Sequence, residues 1–440
     1  MQHKKTMKTE ELYSYYQKCN GVTTDTRSCS EGALFFALRG ERFNGNHYAK
    51  AALEAGCAYA VIDDKACYDA SDPRLLLVDD SLKALQVLAR FHRRQLGLPI
   101  IGITGTNGKT TTKELIAAVL NRKYRTHYTH GNLNNAIGVP LTLLQLTREH
   151  ELAVVEMGAS HPGDIRELVE IAEPDCGLIT NVGRAHLQGF GSFEGVVRTK
   201  GELYDFLRGR EGGFIFLNDN DLNLKTIAKG LKALRYGTGE RQEDRLVQGE
   251  VLACNPFLAF RWKTADGHCQ DVQTRLVGRY NIDNVLCAAA VGIHFGVTPE
   301  DISDAIRSYE PTNSRSQLLK TAHNTLIVDA YNANPTSMQA ALENFELMEA
   351  QKKMIILGEM RELGEASKEE HLNILKRLSS MDVQTIWTIG DNFANPSFSF
   401  RNFKDVDAAI EILQAERPEG MTILIKGSNS VHLSHLIPYL

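Results

Sequence analysis

GITGTNGKTTTKE, residues Gly102 to Glu114, is the stretch that decides how this chain folds. The residues just before it, Ile100 to Thr104 (IIGIT), form a short apolar run of the kind that makes a buried strand. The residues just after it, TTKELIAAVLNR, carry Leu115, Ile116, Val119 and Leu120 at helical spacing. Between strand and helix, Gly105 and Gly108 free the backbone to turn its N–H groups toward one point. Lys109 adds a full positive charge and Thr110 a hydroxyl, at a helix N-terminus whose dipole favours anions. These are the parts needed to hold a triphosphate and its magnesium. The common spacing G-x-x-x-x-G-K-[ST] is not met, because Ile103 stands five residues before Gly108. A tight turn with a surface lysine is the alternative. The order strand, Gly-Lys-Thr, helix favours the nucleotide.

Outward from this loop the same rhythm continues. LAVVE, CGLITN and GFIFLND are strand-like runs ending in polar residues. Such alternation with helices predicts a parallel sheet covered on both faces. Between Gly249 and Leu276 the pattern turns to alternating apolar and polar residues (FLAFRW, DVQTRLV), which predicts a small antiparallel patch. Beyond Pro311 come TLIVD, KMIILGE, TIWTIG and MTILIKG, separated by helical stretches such as SMQAALENFELMEA. The first 98 residues hold shorter segments, GALFFALRG and CAYAVID among them. In open parallel sheets ligands collect at the carboxyl ends of strands, so the chemistry is sought there.

Composition bounds the function. A chain of 440 residues is too long for one compact core, so two or three domains are expected. With 43% hydrophobic and 23% charged residues it reads as an ordinary globular protein. A net charge of −5 leaves no basic excess for nucleic acid. The eight cysteines form no C-x-x-C pair and no zinc-ligand spacing, which suits reduced thiols in the cytoplasm. The N-terminal stretch lacks the apolar core of a signal peptide, and VLCAAAVGIHFGV is too short to span a bilayer, so no stable membrane insertion is expected.

The loop TGTNGKTT resembles the ATP loop of the Mur ligase superfamily, enzymes that form amide bonds. The likeness continues in order. VVEMGASHPGDI places Glu156 at a strand end, TNVGRAHLQGFGS places His186 beyond another, and RTKGELYDFL places Lys200 at a helix start. By this resemblance Gly105, Thr106, Asn107, Gly108, Lys109, Thr110 and Thr111 would hold ATP. Thr110, Glu156, His186 and Lys200 would hold two magnesium ions, with Lys200 carbamylated into an oxygen ligand. Lys109, Glu156, His186 and Lys200 form the implied catalytic set. On its own each residue has a plainer reading: His186 as a surface or core histidine, Lys200 as a solvated helix lysine. GRYNIDNVLCAAA puts Asn281 and Asn284 at the start of an Ala-rich helix, where asparagine also serves as a cap. The family's adenine-binding segment is similar but usually has His where Tyr280 stands, and the resemblance implies Asn281 and Asn284 at the nucleotide.

Further stretches resemble the branch of the family that adds D-Ala-D-Ala to UDP-MurNAc-tripeptide: IVDAYNANPTSM (Ile327 to Met338), LGEMRELGE (Leu357 to Glu365, with Glu359 where Asp is usual) and GNLNNAIGVPLTLL (Gly131 to Leu144). DTRSCSEGALFFALRGERFNGNHY resembles the part that holds the uridine diphosphate end, with Thr26 where serine is frequent. IKGSNSVHLSHL keeps Lys426, Gly427 and Ser428 but has Asn429 in place of an arginine. The resemblance implies an α/β fold of three domains. These are a small substrate domain (1–98), a central parallel-sheet ATPase domain (99–311) and a C-terminal Rossmann-like domain (312–440). It implies Arg315 and Asp329 at the nucleotide, and Thr26, Arg27, Asn134, Asn135, Asn332 and Asn334 at substrate. It implies a monomer acting on small molecules. Another amino-acid ligase of the superfamily, a folylpolyglutamate synthase-like enzyme, and a nucleotide-binding module without turnover are the competing readings.

Overall fold

The computed structural model describes residues 7–41, 43–240, 244–311, 315 and 317–440. The expected boundary at 311/312 abuts residues 312–314, which lie outside the described residues. Contacts group the chain into two compact units. The first joins 1–103 with 124–158 and 164–177; the second joins 104–123 with 159–163 and 178–440. The strands Ile100–Thr104 and Cys176–Ile179 begin in the first unit and end in the second.

In the first unit, Val22–Thr23, Leu34–Phe36, Tyr59–Ile62 and Leu75–Leu77 form a small parallel sheet in that order. Ala33, Phe35, Ala60 and Ile62 pack on Ala49, Ala52 and Leu53 of the helix Ala49–Glu54. The helix Ser81–Leu96 follows, capped by Asp80 and closed by Gly97 in the left-handed region. Its buried Arg93 donates to the carbonyls of Ala172 and Glu173 and to Asp175 Oδ2 at 3.0 Å. The same oxygen accepts the Ile100 N–H at 2.8 Å, so one carboxylate fixes where the strand Ile100–Thr104 starts. That strand pairs in parallel with Leu152–Glu156, which pairs with Thr126–Tyr128. The register sets Glu156 opposite Ile103.

In the second unit, Phe214–Asn218, Lys232–Thr238 and Arg245–Cys254 run parallel. Phe257–Thr264 and Cys269–Val277 then reverse direction, the antiparallel patch expected from their alternation. The helix Asn281–His294 packs on the helix Lys109–Leu120. A six-stranded sheet closes the chain, ordered Gln317–Lys320, Thr325–Asp329, Thr422–Lys426, Lys353–Gly358, Thr385–Ile389 and Arg401–Phe403. All its pairs are parallel except the first. Alternate residues of its strands serve two separate cores. Ile327, Ile355, Leu357 and Leu424 meet Met338, Leu342 and Phe345 on one face. Leu326, Val328, Ile356 and Ile425 meet Ala409, Leu413 and Leu436 on the other. This is why these strands read as unbroken apolar runs.

One local expectation is corrected. Lys200 does not start a helix; it lies midway along Phe193–Arg208. The helix begins earlier because Ser192 accepts from the Gly195 N–H and Glu194 sits in the first turn. Among the described residues no helix is long and apolar enough to cross a membrane.

His127, buried on the strand Thr126–Tyr128, has the rings of His150 and His130 at 5.0 and 5.7 Å. Burial first, and the two neighbouring imidazoles second, push its pKa down to about 4. The unfolded chain takes up that proton near the ordinary value of about 6.5. Stability is therefore full above about pH 6.5 and is lost progressively as pH falls toward about 4. The thermal midpoint is expected to drop across that window. His127→Gln should show a shallower drop by circular dichroism, and an unchanged slope would remove His127 as a contributor.

Candidate nucleotide and metal site

The glycine loop is set by what stands against it. Gly105 has φ 143° and Gly108 φ 77°, both in the left-handed region. A Cβ on Gly105 would lie 2.0 Å from Thr180 Oγ1, and one on Gly108 2.7 Å from Asn284 Oδ1. The residues after the strand Cys176–Ile179 hold the loop in place. The Thr106 N–H donates to the Asn181 carbonyl, and the Asn107 N–H to Asn181 Oδ1 at 3.0 Å. Thr180 Oγ1 donates to the Asn107 carbonyl at 2.6 Å, and the Gly183 N–H to Thr106 Oγ1 at 3.0 Å. The helix Lys109–Leu120 begins with no side-chain cap, as suits an end that receives an anion. Lys109 Nζ folds back onto the carbonyls of Gly105 and Thr106 at 2.8 and 3.0 Å. Thr110 is buried at the same helix end, and Thr111 follows it on the first turn.

Asn281 and Asn284 are buried beneath the loop in a relay. Thr112 Oγ1 donates to Asn284 Oδ1 at 3.0 Å, Asn284 Nδ2 to Asn281 Oδ1 at 2.8 Å, and Asn281 Nδ2 to the Val277 carbonyl at 2.9 Å. Both amides thus tie the loop helix to the following helix.

Within the first unit, Glu156 ends its strand with only 2% exposure. Its Oε1 accepts from Asn134 Nδ2 at 2.9 Å. Asn135 instead closes the adjoining turn, accepting from the N–H groups of Ile137 and Gly138. Thr26 and Arg27 lie in a short 3-10 turn, where exposed Arg27 pairs with Asp25 at 2.7 Å.

The second unit gathers the remaining expected residues in three places. His186, at φ 50°, faces Glu362, with Nδ1 2.5 Å from Oε2. The imidazole beside it holds the Glu362 carboxyl below its ordinary range. Lys200 is buried, its Nζ 3.4 Å from the Ala159 carbonyl and 5.4 Å from the Phe190 ring centre. The same ring meets His186 edge-on at 6.2 Å, so Phe190 borders both residues. Asn334 caps the helix Pro335–Leu347 and reaches the glycine loop, Nδ2 donating to Asn107 Oδ1 at 2.7 Å. Asp329 is paired with buried Lys426 at 2.5 Å, and the Asn332 carbonyl lies 3.4 Å from the same ammonium. The Arg315 guanidinium stacks 3.8 Å over Tyr331, and its buried Nε has no hydrogen-bond partner among the described residues.

Thr110 and Glu156 are oxygen donors, the ligand type that magnesium takes. His186 would have Nε2 to offer a cation, since its Nδ1 faces Glu362. Lys200 as an ammonium repels a cation and fits the set only as a carbamate. Among the described residues the one cluster of three His, Cys, Asp or Glu with ligand atoms within 4.8 Å of one another is elsewhere, at His47, Asp64 and Cys67. Glu362, Phe190, Thr180 and Asn181 escaped the sequence reading of the site. Glu362 lies inside the quoted LGEMRELGE stretch, and Thr180 and Asn181 stand at the polar end of CGLITN, so both signals were available.

A phosphate loop on one sheet, joined by side chains to the end of a second parallel sheet, defines a nucleotide-dependent ligase built from successive α/β domains. The chain belongs to the Mur ligase family. Residues 18–93 match the model for the Mur ligase family catalytic domain, 103–292 the Mur ligase middle domain, and 314–429 the Mur ligase glutamate ligase domain. The UDP-N-acetylmuramoyl-tripeptide--D-alanyl-D-alanine ligase of Bacillus subtilis (strain 168) is 36% identical over 429 residues, covering 95% of this chain and 92% of that one. A crystal structure of MurF from Acinetobacter baumannii superposes with a TM-score of 0.86 at 30% identity, covering 99% and 98% of the two chains. The MurF ligase of Thermotoga maritima in complex with ADP gives 0.84 at 25% identity, covering 96% and 97%.

Asn284→Ala would strip partners from the Thr112 hydroxyl and the Asn281 amide, both buried. We expect a loss of about 1–3 kcal/mol in urea unfolding without nucleotide. Unchanged stability would mean that the relay does not hold the loop helix.

Proposed function

We propose that this chain joins D-Ala-D-Ala to UDP-MurNAc-tripeptide at the expense of ATP, releasing ADP and phosphate. The observation that carries the reading is the Asn107–Asn334 contact. The phosphate loop there touches the DAYNANPTSM stretch, the segment that sets this branch of the family apart. The full-length likeness to ligases named for this reaction supports it.

The chemistry follows from charge. A carboxylate is a poor electrophile, so a tripeptide carboxylate oxygen attacks the γ-phosphorus of ATP, and ADP leaves. The resulting acyl phosphate has a good leaving group. The dipeptide amine adds to its carbonyl carbon, a tetrahedral intermediate forms, and phosphate departs as the amine gives up a proton. Phosphoryl transfer asks the protein mostly for positioning and charge stabilisation. Lys109 would exchange its two loop carbonyls for the β- and γ-phosphates, since a charge-assisted bond to phosphate is the stronger. Thr110 and Glu156 would hold one magnesium ion, and His186 with carbamylated Lys200 a second. When bound, these ions offset the repulsion between ATP and the incoming carboxylate. Asn281 and Asn284 keep the loop helix in place beside the adenine end. Arg315, Asp329 and Asn332 would serve nucleotide or peptide from the C-terminal part, Asn334 and Asn134 would border the peptide, and Thr26 and Arg27 the uridine diphosphate end. Asn135 would act through the turn it closes.

Domain limits at 98/99 and 311/312 suit this division, since the three groups of strands span 22–77, 100–277 and 317–426. Eight free thiols suit a reducing cytoplasm.

The test is phosphate release with UDP-MurNAc-tripeptide, with and without D-Ala-D-Ala, followed by product mass. Release that requires the dipeptide, with a product of pentapeptide mass, is expected. Turnover with a single amino acid instead would move the chain to another ligase branch. Lys200→Ala should lower the rate on the order of a hundredfold or more. Added short-chain carboxylic acid should restore part of it, and full activity in the variant alone would remove Lys200 from the site.

A further inference from the structure

We propose that His47, Asp64 and Cys67 form a metal site of a different kind, one that takes a thiophilic divalent ion of the zinc class. All three belong to the first unit. None is among the residues proposed for ATP, magnesium or substrate, so the inference stands apart from the ligation reading.

The ligand atoms are already gathered. An imidazole nitrogen of His47, a carboxylate oxygen of Asp64 and Cys67 Sγ lie within 4.8 Å of one another. They come from two short 3-10 turns. Gly45–Tyr48 carries His47, and Lys65–Cys67 carries Cys67 with Asp64 as its cap. Buried Asn46, the neighbour of His47, pins the first turn to the residues that begin the second. Its Oδ1 accepts from the N–H groups of Asp63 and Asp64 at 2.9 and 3.2 Å, and its Nδ2 donates to Asp63 Oδ1 at 2.8 Å. Asp64 in turn holds the second turn. Its Oδ1 accepts from the Ala66 N–H at 3.0 Å, and its carbonyl accepts from the Cys67 N–H at 3.1 Å. Asn44 Nδ2 steadies the other carboxylate oxygen at 3.3 Å. The backbone under all three ligands is thus fixed by the fold itself, which lowers the ordering cost of binding.

The ligand types select the metal. Thiolate sulfur and imidazole nitrogen suit zinc and its neighbours, whereas magnesium takes oxygen. Three protein ligands leave a fourth tetrahedral position for water. On binding, the Cys67 S–H bond gives way to a metal–sulfur bond, and the proton passes to water. The charges close as well. Arg39 is a neighbouring cation, its Nη2 3.8 Å from Asp64 Oδ2 and its Nε paired with Asp63 at 2.9 Å. Asp63, Asp64 and a Cys67 thiolate bring three negative charges, which Arg39 and one divalent ion offset in full. His47 is exposed and Cys67 half-buried, so an ion can reach the site. The bound ion ties the turn Gly45–Tyr48 to the turn Lys65–Cys67, and so stiffens the connections that follow the strands Phe43–Asn44 and Tyr59–Ile62.

The experiment titrates metal-free, full-length protein with Co²⁺, with magnesium present in excess, and follows the near-ultraviolet charge-transfer band from thiolate to cobalt. Zn²⁺ is then added as competitor. The unaltered protein should develop the band, and Zn²⁺ should erase it. Cys67→Ser should lose the band, while Cys269→Ser, at an exposed thiol elsewhere, should keep it. His47→Ala and Asp64→Asn should each weaken cobalt binding by about tenfold or more, the range that losing even a supporting partner costs. Asparagine also caps turns, so Asp64→Asn spares the local fold, and thermal melting without metal checks every variant. No band in the unaltered protein, or a band that survives in Cys67→Ser, would overturn the site. A band lost in Cys67→Ser but with affinity unmoved in His47→Ala or in Asp64→Asn would overturn the three-ligand set.

Discussion

The arrangement depends on the absence of two Cβ atoms. At Gly105 and Gly108 the chain needs a left-handed backbone, and in the same places Thr180 and Asn284 press too close for any side chain. Flexibility is not what these glycines supply in the folded protein. They let neighbouring polar groups approach the loop directly and hold its amides in one arrangement. The loop is thus preformed, and the ordering entropy is met on folding rather than on ligand binding.

Three lysines of the second unit are engaged by protein groups. Lys109 rests on two backbone carbonyls, Lys200 near the Ala159 carbonyl, and Lys426 on Asp329. Backbone carbonyls help hold the first two in place. Asp329, beside Lys426, stands opposite it in the sheet register. That pair spans the ends of adjacent strands and anchors the turn leading to Asn332 and Asn334.

Departures from the family's pattern are absorbed locally. Glu359, standing where a shorter acid is usual, is buried and accepts from both the N–H and the side-chain amide of Asn392, at 2.7 and 2.9 Å. Its second oxygen meets Arg361 at 3.2 Å. The longer side chain therefore has a full set of partners. Asn429, in place of an arginine, begins a short 3-10 turn, Asn429–Val431.

The central and C-terminal strands were legible in the sequence because each is a buried apolar run bounded by polar residues, and the loop because strand, Gly-Lys-Thr and helix occur in order. The antiparallel patch was legible in its alternation. The edge strand Gln317–Lys320 and the strand Lys232–Thr238 were not, since half-exposed mixed sequences carry no clear period. The helix holding Lys200 was misjudged at its start because Ser192, a small polar cap, outweighs the apolar pattern that marks a helix interior. Residue types and their order on the chain were enough to name the chemistry: a triphosphate loop, a strand-end carboxylate, an imidazole and a lysine. Only the tertiary structure decided how those groups are held. The carbonyls under Lys109, the relay through Asn281 and Asn284, and the carboxylate against His186 all join residues far apart in sequence, and such pairings exist only once sheets and helices have packed.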